Sequence, residues 1–170
     1  LIGLVGSEMC IRDRGASMAE DSLILPAFHY FVAGPDTVKM LNSFVLKSKY
    51  LYWQKKHKEA MAVLDSGIAA ATACRDTYLM VNMLSEKANR YVYVEKDYKK
   101  AIEAHLRAIA IREDEGLCYS LGIAMGLQGN DSASYYMDRS IELVEKKKDT
   151  TRLVHYLRNY AQLLSYISSD

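Results

Sequence analysis

Between residues 36 and 168 apolar positions return every three to four residues, most clearly in the run 96–111, Lys96-Asp97-Tyr98-Lys99-Lys100-Ala101-Ile102-Glu103-Ala104-His105-Leu106-Arg107-Ala108-Ile109-Ala110-Ile111. Tyr98, Ala101, Ile102, His105, Ala108 and Ile109 share one stripe at helical spacing, and Asp97 stands where it can cap the first turn. Ala101 and Ala108 lie two turns apart on that stripe and leave room for a second backbone to approach. A single helix cannot bury such a face, so the pattern predicts neighbours of the same kind.

The rest of the chain supplies them. A first helix is predicted over 36–54, with Leu41, Phe44, Val45, Ser48 and Leu51 inward, a polar turn at Lys55-Lys56, and a returning helix over 57–73 carrying Ala60, Leu64, Gly67 and Ile68. Asp76 opens a third helix that runs to about Val94, and Glu95-Lys96 turns the chain into the run above. A shorter helix is expected over 116–128 around Leu121-Gly122, and Gly129-Asn130-Asp131 turns it into a partner over 132–147. Lys146-Lys147-Lys148 suits the negative end of that helix dipole. Asp149 caps a last helix over 149–168, with Leu157, Tyr160, Ala161 and Leu164 inward. Tyr156, Leu163 and Ile167 are then expected on an outer strip that a following helix would cover. A leading helix lies within 15–35; Ser22 is a possible cap, Pro26 sets the start of its regular part, and Gly34-Pro35 ends it.

Composition narrows the class to all-α. Half the 170 residues are apolar, enough for a continuous core, while two prolines and nine glycines are few for a many-turned β chain. A net charge of +1 gives no sequence-wide electrostatic case for nucleic acid or an acidic membrane surface. No run approaches the roughly 18 apolar residues that cross a bilayer, so the chain reads as a soluble domain, cytoplasmic or periplasmic. Cys74 and Cys118 form no Cys-x-x-Cys and read as small core residues. The opening segment is different: Leu4-Val5-Gly6-Ser7-Glu8-Met9-Cys10-Ile11-Arg12-Asp13-Arg14 resembles a translated transposon-end sequencing adapter. Residues 1–14 are therefore set aside from the fold, and the native start is expected to lie outside this sequence.

The hairpins repeat. Ala60 and Ala101 stand 41 residues apart, as do Lys49 and Arg90, and Tyr52 and Tyr93; Ala101 and Ala133 are 32 apart. The same internal grammar at unequal spacing suggests stacked hairpins, over 36–73, 76–113 and 116–147, with variable loops. Lys96-Asp97-Tyr98-Lys99-Lys100-Ala101 resembles the Gly-Asp-Tyr-x-x-Ala segment of the tetratricopeptide repeat family, and Leu121-Gly122 its Leu-Gly pair. That family's unit is a helix pair of about 34 residues. In its frame the small packing positions are Ser48, Asn89, Gly122 and Ala161, then Ala60, Ala101 and Ala133, then Gly67, Ala108 and Ser140. Lys47 departs from the family's leucine and Asn89 is larger than its small residue. The resemblance implies an α-solenoid with a concave groove lined by the first helix of each pair.

Groove positions map to Asn42, Val45, Lys49, Tyr52 and Trp53 in the first repeat, and to Met83, Glu86, Arg90, Tyr93 and Val94 in the second. The recurrence of a cation with a tyrosine implies a wall suited to an extended acidic or aromatic peptide, with Tyr52 and Trp53 covering the hairpin turn as the plainer alternative. On this frame Arg90→Glu is expected to spare the fold. No catalytic motif, metal set or cofactor loop emerges: His29, His57, His105 and His155 lie in separate segments, His105 reads as a satisfied core histidine, and Glu113-Asp114-Glu115 as a solvated loop. The expected role is a non-enzymatic scaffold for a protein or peptide partner. The alternative is the sensor or oligomerisation module of a bacterial signalling or transcriptional regulator, its output domain lying outside this fragment.

Overall fold

A computed structural model describes residues 23–167, and every regular element among them is helical. The adapter-like segment 1–14 and the acidic start Glu20-Asp21-Ser22 lie outside the described residues. The chain divides between Leu79 and Met80 into two compact units.

The first unit holds α1 (Ile24–Ala33), α2 (Thr37–Trp53) and α3 (His57–Ala73). Helix α1 begins two residues before Pro26, because a proline in the first turn sacrifices an N–H that has no intrahelical acceptor there. Asp36 caps α2 by accepting from the Lys39 backbone N–H at 3.0 Å. Helix α1 packs on α2, and α2 on α3. Ile24 meets Tyr50, Leu51 and Ala60 in one buried cluster, and Phe28 sets its ring edge-on to Phe44 at 5.2 Å. The anomalous Lys47 now has a reason: its Nζ lies 3.9 Å from the centre of the Phe28 ring, so α1 turns a cation at an apolar position into a cation–π contact.

Helix α4 (Thr77–Arg90) starts in the first unit, with Asp76 accepting from Leu79 N–H at 2.9 Å, and continues into the second. It runs into a π-helical turn, Tyr91–Glu95, against which α5 (Tyr98–Ile111) packs. Then follow α6 (Glu115–Leu127), α7 (Ala133–Lys147) and α8 (Thr150–Ile167). Asp97, Asp114 and Asp149 cap α5, α6 and α8 through the N–H groups of Lys100, Leu117 and Arg152. Helices end by a common device too. Lys55, Arg75, Lys96, Gly129 and Lys148 take positive φ between 56° and 75°, and the next N–H reaches back to an orphan carbonyl, as from Lys56 to Leu51 and from Asn130 to Met125, both at 2.9 Å.

Helix α6 is the hub of the second unit, packing on α5, α7 and α8. It can do so because two points one turn apart on it lack side chains. A Cβ on Gly122 would come 2.7 Å from Met137 Sδ of α7, and one on Gly126 2.6 Å from a Leu163 methyl of α8. The small packing positions Ser48, Ala60, Gly67, Ala101, Ala108, Gly122, Ala133 and Ser140 are all buried, whereas Asn89 is half-buried. Ala161 is exposed.

That exposure belongs to a correction. In α8 the buried residues are Tyr156 and Leu163, while Leu157 and Leu164 are 47% and 48% exposed. The helix carries two apolar stripes offset by one residue, about 100° apart, and periodicity does not say which one a neighbour takes. Tyr119 and Gly126 of α6 take the stripe of Tyr156 and Leu163.

His105 is fully buried as expected, but not satisfied: neither ring nitrogen has a hydrogen-bond partner among the described residues. Burial disfavours its charged form and pushes its pKa down from 6.5 to about 4.

Three outcomes follow. Ala101→Leu should overfill a fully buried site and lower stability by about 1–3 kcal/mol in chemical denaturation. Gly122→Ala should also destabilise, overlap with buried Met137 outweighing the ~1 kcal/mol that alanine returns in helix propensity. As for acid, the unfolded chain binds the His105 proton below pH 6.5 and the folded chain only near pH 4. The stability present above pH 6.5 should therefore fall by roughly 3 kcal/mol as pH drops to about 4. A scan of Tm against pH in which His105→Leu flattens that decline would bear this out.

Candidate functional site

The residues expected to line a groove fall into two sets, one in each unit. In α2, Asn42 is exposed and donates through Nδ2 to the Val38 carbonyl at 2.9 Å, while Val45 and Lys49 are half-buried. Tyr52 leans on the Ile24 cluster, with Trp53 edge-on at 6.2 Å and His57 at 5.2 Å. Tyr52 thus covers the α2–α3 turn, and Trp53 remains 59% exposed beside it.

The second set does not form the cationic surface that its spacing suggests. Met83 is fully buried, and Arg90, two turns further along the same stripe, is buried with it and paired to Glu86 at 3.8 Å. Helical spacing put both positions on one face; the structure turns that face into the core. Tyr93, displaced into the π-helical turn, is instead 61% exposed, and Val94 is half-buried.

The most concentrated arrangement of rings and polar groups lies elsewhere, on α6 and α8. Tyr119 and Tyr156 stack almost parallel, with centroids 4.1 Å apart and planes at 8°. Tyr156 is the buried partner, and burial first of all pushes its phenol up to about 12. Tyr119 is half-buried, and its hydroxyl accepts from Asn159 Nδ2 at 2.6 Å. The exposed His155 ring sits 5.9 Å from Tyr119, with Asn159 Nδ2 3.1 Å from its Nε2 and Arg158 Nη2 3.4 Å from its Nδ1. Burial raises the Tyr119 phenol and the charge of Tyr93 adds to this, while the Asn159 hydrogen bond and the Arg158 cation work against it. His155, Arg158 and Asn159 lie at spacings of three and four, so one face of α8 presents them together to Tyr119. That spacing was available as a sequence signal; the meeting with Tyr119, 36 residues earlier, was not.

The run Glu113-Asp114-Glu115 is not a solvated loop. Glu113 receives Arg139 in a fork, at 3.0 Å from Nε and 2.7 Å from Nη2, and the Cys118 thiol lies 3.8 Å from the same carboxylate. Asp114 caps α6 and pairs with Arg112 at 3.1 Å. Glu115 is buried and binds Lys147 Nζ at 2.5 Å and the Arg152 guanidinium. Burial alone would raise the Glu115 carboxyl, but the Lys147 hydrogen bond, a backbone N–H and the charges of Lys147 and Arg152 hold it below the usual range. Each carboxylate is committed to holding helices together. Cys118 is buried, and its thiol is pushed up to about 12 by burial and then by the Glu113 charge, which makes it unreactive near neutral pH.

Among the described residues no three His, Cys, Asp or Glu side chains gather as a metal site, and no helix is long and apolar enough to cross a membrane. Comparison with protein-family models and with curated proteins finds no match for this chain.

Burial of Arg90 beside half-buried Glu86 reverses the expectation for Arg90→Glu. Two carboxylates would face each other where a pair stood, so the variant should lose roughly 3 kcal/mol of stability.

Proposed function

We propose that this chain is a non-enzymatic protein-interaction scaffold, an α-solenoid of tetratricopeptide-like hairpins that holds a peptide segment of another protein against the first helices of its pairs. The observation that carries the reading is the surface made by Tyr119 of α6 with His155, Arg158 and Asn159 of α8. In the tetratricopeptide frame α6 and α8 are first helices of successive units, and α7 is the second helix between them. The buried small residues of α5, α6 and α7 support that frame, since they let helices approach at the spacing such stacking needs. Rings that are already held by stacking and hydrogen bonds offer contact area at little entropic cost.

The commitments of the other polar groups point the same way. Glu113, Asp114, Glu115 and Arg139 are tied into the helix framework, whereas His155 and Arg158 are exposed on one face. The partner is a protein or peptide, with no direct nucleic-acid role and no cofactor.

A displayed library of random dodecapeptides panned on the immobilised chain should enrich a defined motif. Tyr119→Phe, which keeps the ring stack, combined with Arg158→Glu should reduce binding of the selected peptides at least tenfold, while circular dichroism stays unchanged. Enrichment of no motif, or motifs that bind the double variant as well as the original, would overturn the reading.

A further inference from the structure

We infer that Tyr119, His155, Arg158 and Asn159 form a subsite for the side-chain carboxylate of an acidic residue in the bound peptide. This rests on the proposed function and names the chemistry of its partner. Helix α8, reading Thr-Thr-Arg-Leu-Val-His-Tyr-Leu-Arg-Asn-Tyr-Ala-Gln-Leu-Leu-Ser-Tyr-Ile, carries two arginines and a histidine but no acidic residue. Its two arginines differ in their surroundings. Arg152 meets Glu115 and Asp149. Arg158 meets the His155 ring instead, at 3.4 Å, one residue before the Asn159 that bonds the Tyr119 hydroxyl.

The cluster is also rich in donors and poor in acceptors. Asn159 Nδ2 lies 2.6 Å from the Tyr119 hydroxyl and 3.1 Å from His155 Nε2, while Arg158 approaches the other ring nitrogen. The Tyr119 oxygen is used as an acceptor, which leaves its own hydrogen to donate. The Arg158 guanidinium can only donate, which favours an accepting Nδ1 and leaves the hydrogen of a neutral His155 ring on Nε2. What would complete the set is an anionic acceptor that takes hydrogen bonds from the guanidinium, the phenol and the imidazole together, and a planar carboxylate matches the guanidinium fork. The Tyr119–Tyr156 stack and the Asn159 hydrogen bond hold the phenol in place before the ligand arrives.

The experiment titrates the whole chain with three capped tripeptides, acetyl-Leu-Glu-Leu-amide, its Gln counterpart and its phosphoserine counterpart. Binding is followed by the side-chain ¹⁵N–¹H signals of Arg158 and Asn159. The Glu peptide should shift both signals and bind at least tenfold more tightly than the Gln peptide. Arg158→Glu should abolish that preference, Tyr119→Phe should weaken the Glu peptide several-fold without changing the Gln peptide, and added salt should erode the difference. Equal responses to Glu and Gln, tighter binding of the phosphoserine peptide, or no shift up to the solubility limit would each overturn the carboxylate assignment. The library selection separates this from the broader reading: motifs without acidic residues that still depend on Arg158 would sink the carboxylate subsite alone, and the absence of any motif would sink both.

Discussion

The second unit depends on the close approach of two helices to α6. Gly122 and Gly126 are one turn apart and strip the side chain from neighbouring points of one helix, so that Met137 of α7 and Leu163 of α8 can enter where a Cβ would stand. The apolar contacts around Leu121, Met125 and Ala133, and the stack of Tyr119 on Tyr156, are possible only at that separation. A glycine inside a helix is entropically unfavourable, and burial on both sides is what offsets it here.

Charge then orients what packing brings together. Glu115 opens α6 and is held by Lys147 at the end of α7 and Arg152 at the start of α8, so one buried carboxylate draws together the termini of three helices. Its cost of burial is met by two cations and a backbone N–H rather than by one partner. Glu113 with Arg139 performs a similar task between the α5–α6 connection and α7. These pairs hold the turn into α8, and with it the face that carries His155, Arg158 and Asn159, against Tyr119.

Much of the fold was legible because it is written in local rules. Aspartate caps at positions 36, 76, 97 and 149, the polar turns at Lys55-Lys56 and Glu95-Lys96, and the 3.6 period of the run 96–111 each act within one or two turns of helix, and the helices lie where those signals predict. The candidate site was far less legible. Met83 and Arg90 have groove spacing but face the core, and Tyr119 meets Asn159 across 40 residues of sequence. Lys47 looked like a defect of the pattern until Phe28 of another helix came to lie beneath it.

What the sequence by itself determined was the helical class, the positions of the turns, and which residues are small enough to be approached. These are consequences of capping, backbone conformation and side-chain volume, all properties of a residue and its near neighbours. What only the tertiary structure decided was the use made of each face: which of the two apolar stripes of α8 is buried, which cation stays in solvent, and which carboxylate is taken inside. A helix with two adjacent stripes is equally amphipathic about either, and the choice belongs to the neighbour whose surface fits. Here that neighbour is α6, with a ring at Tyr119 and an open notch at Gly126.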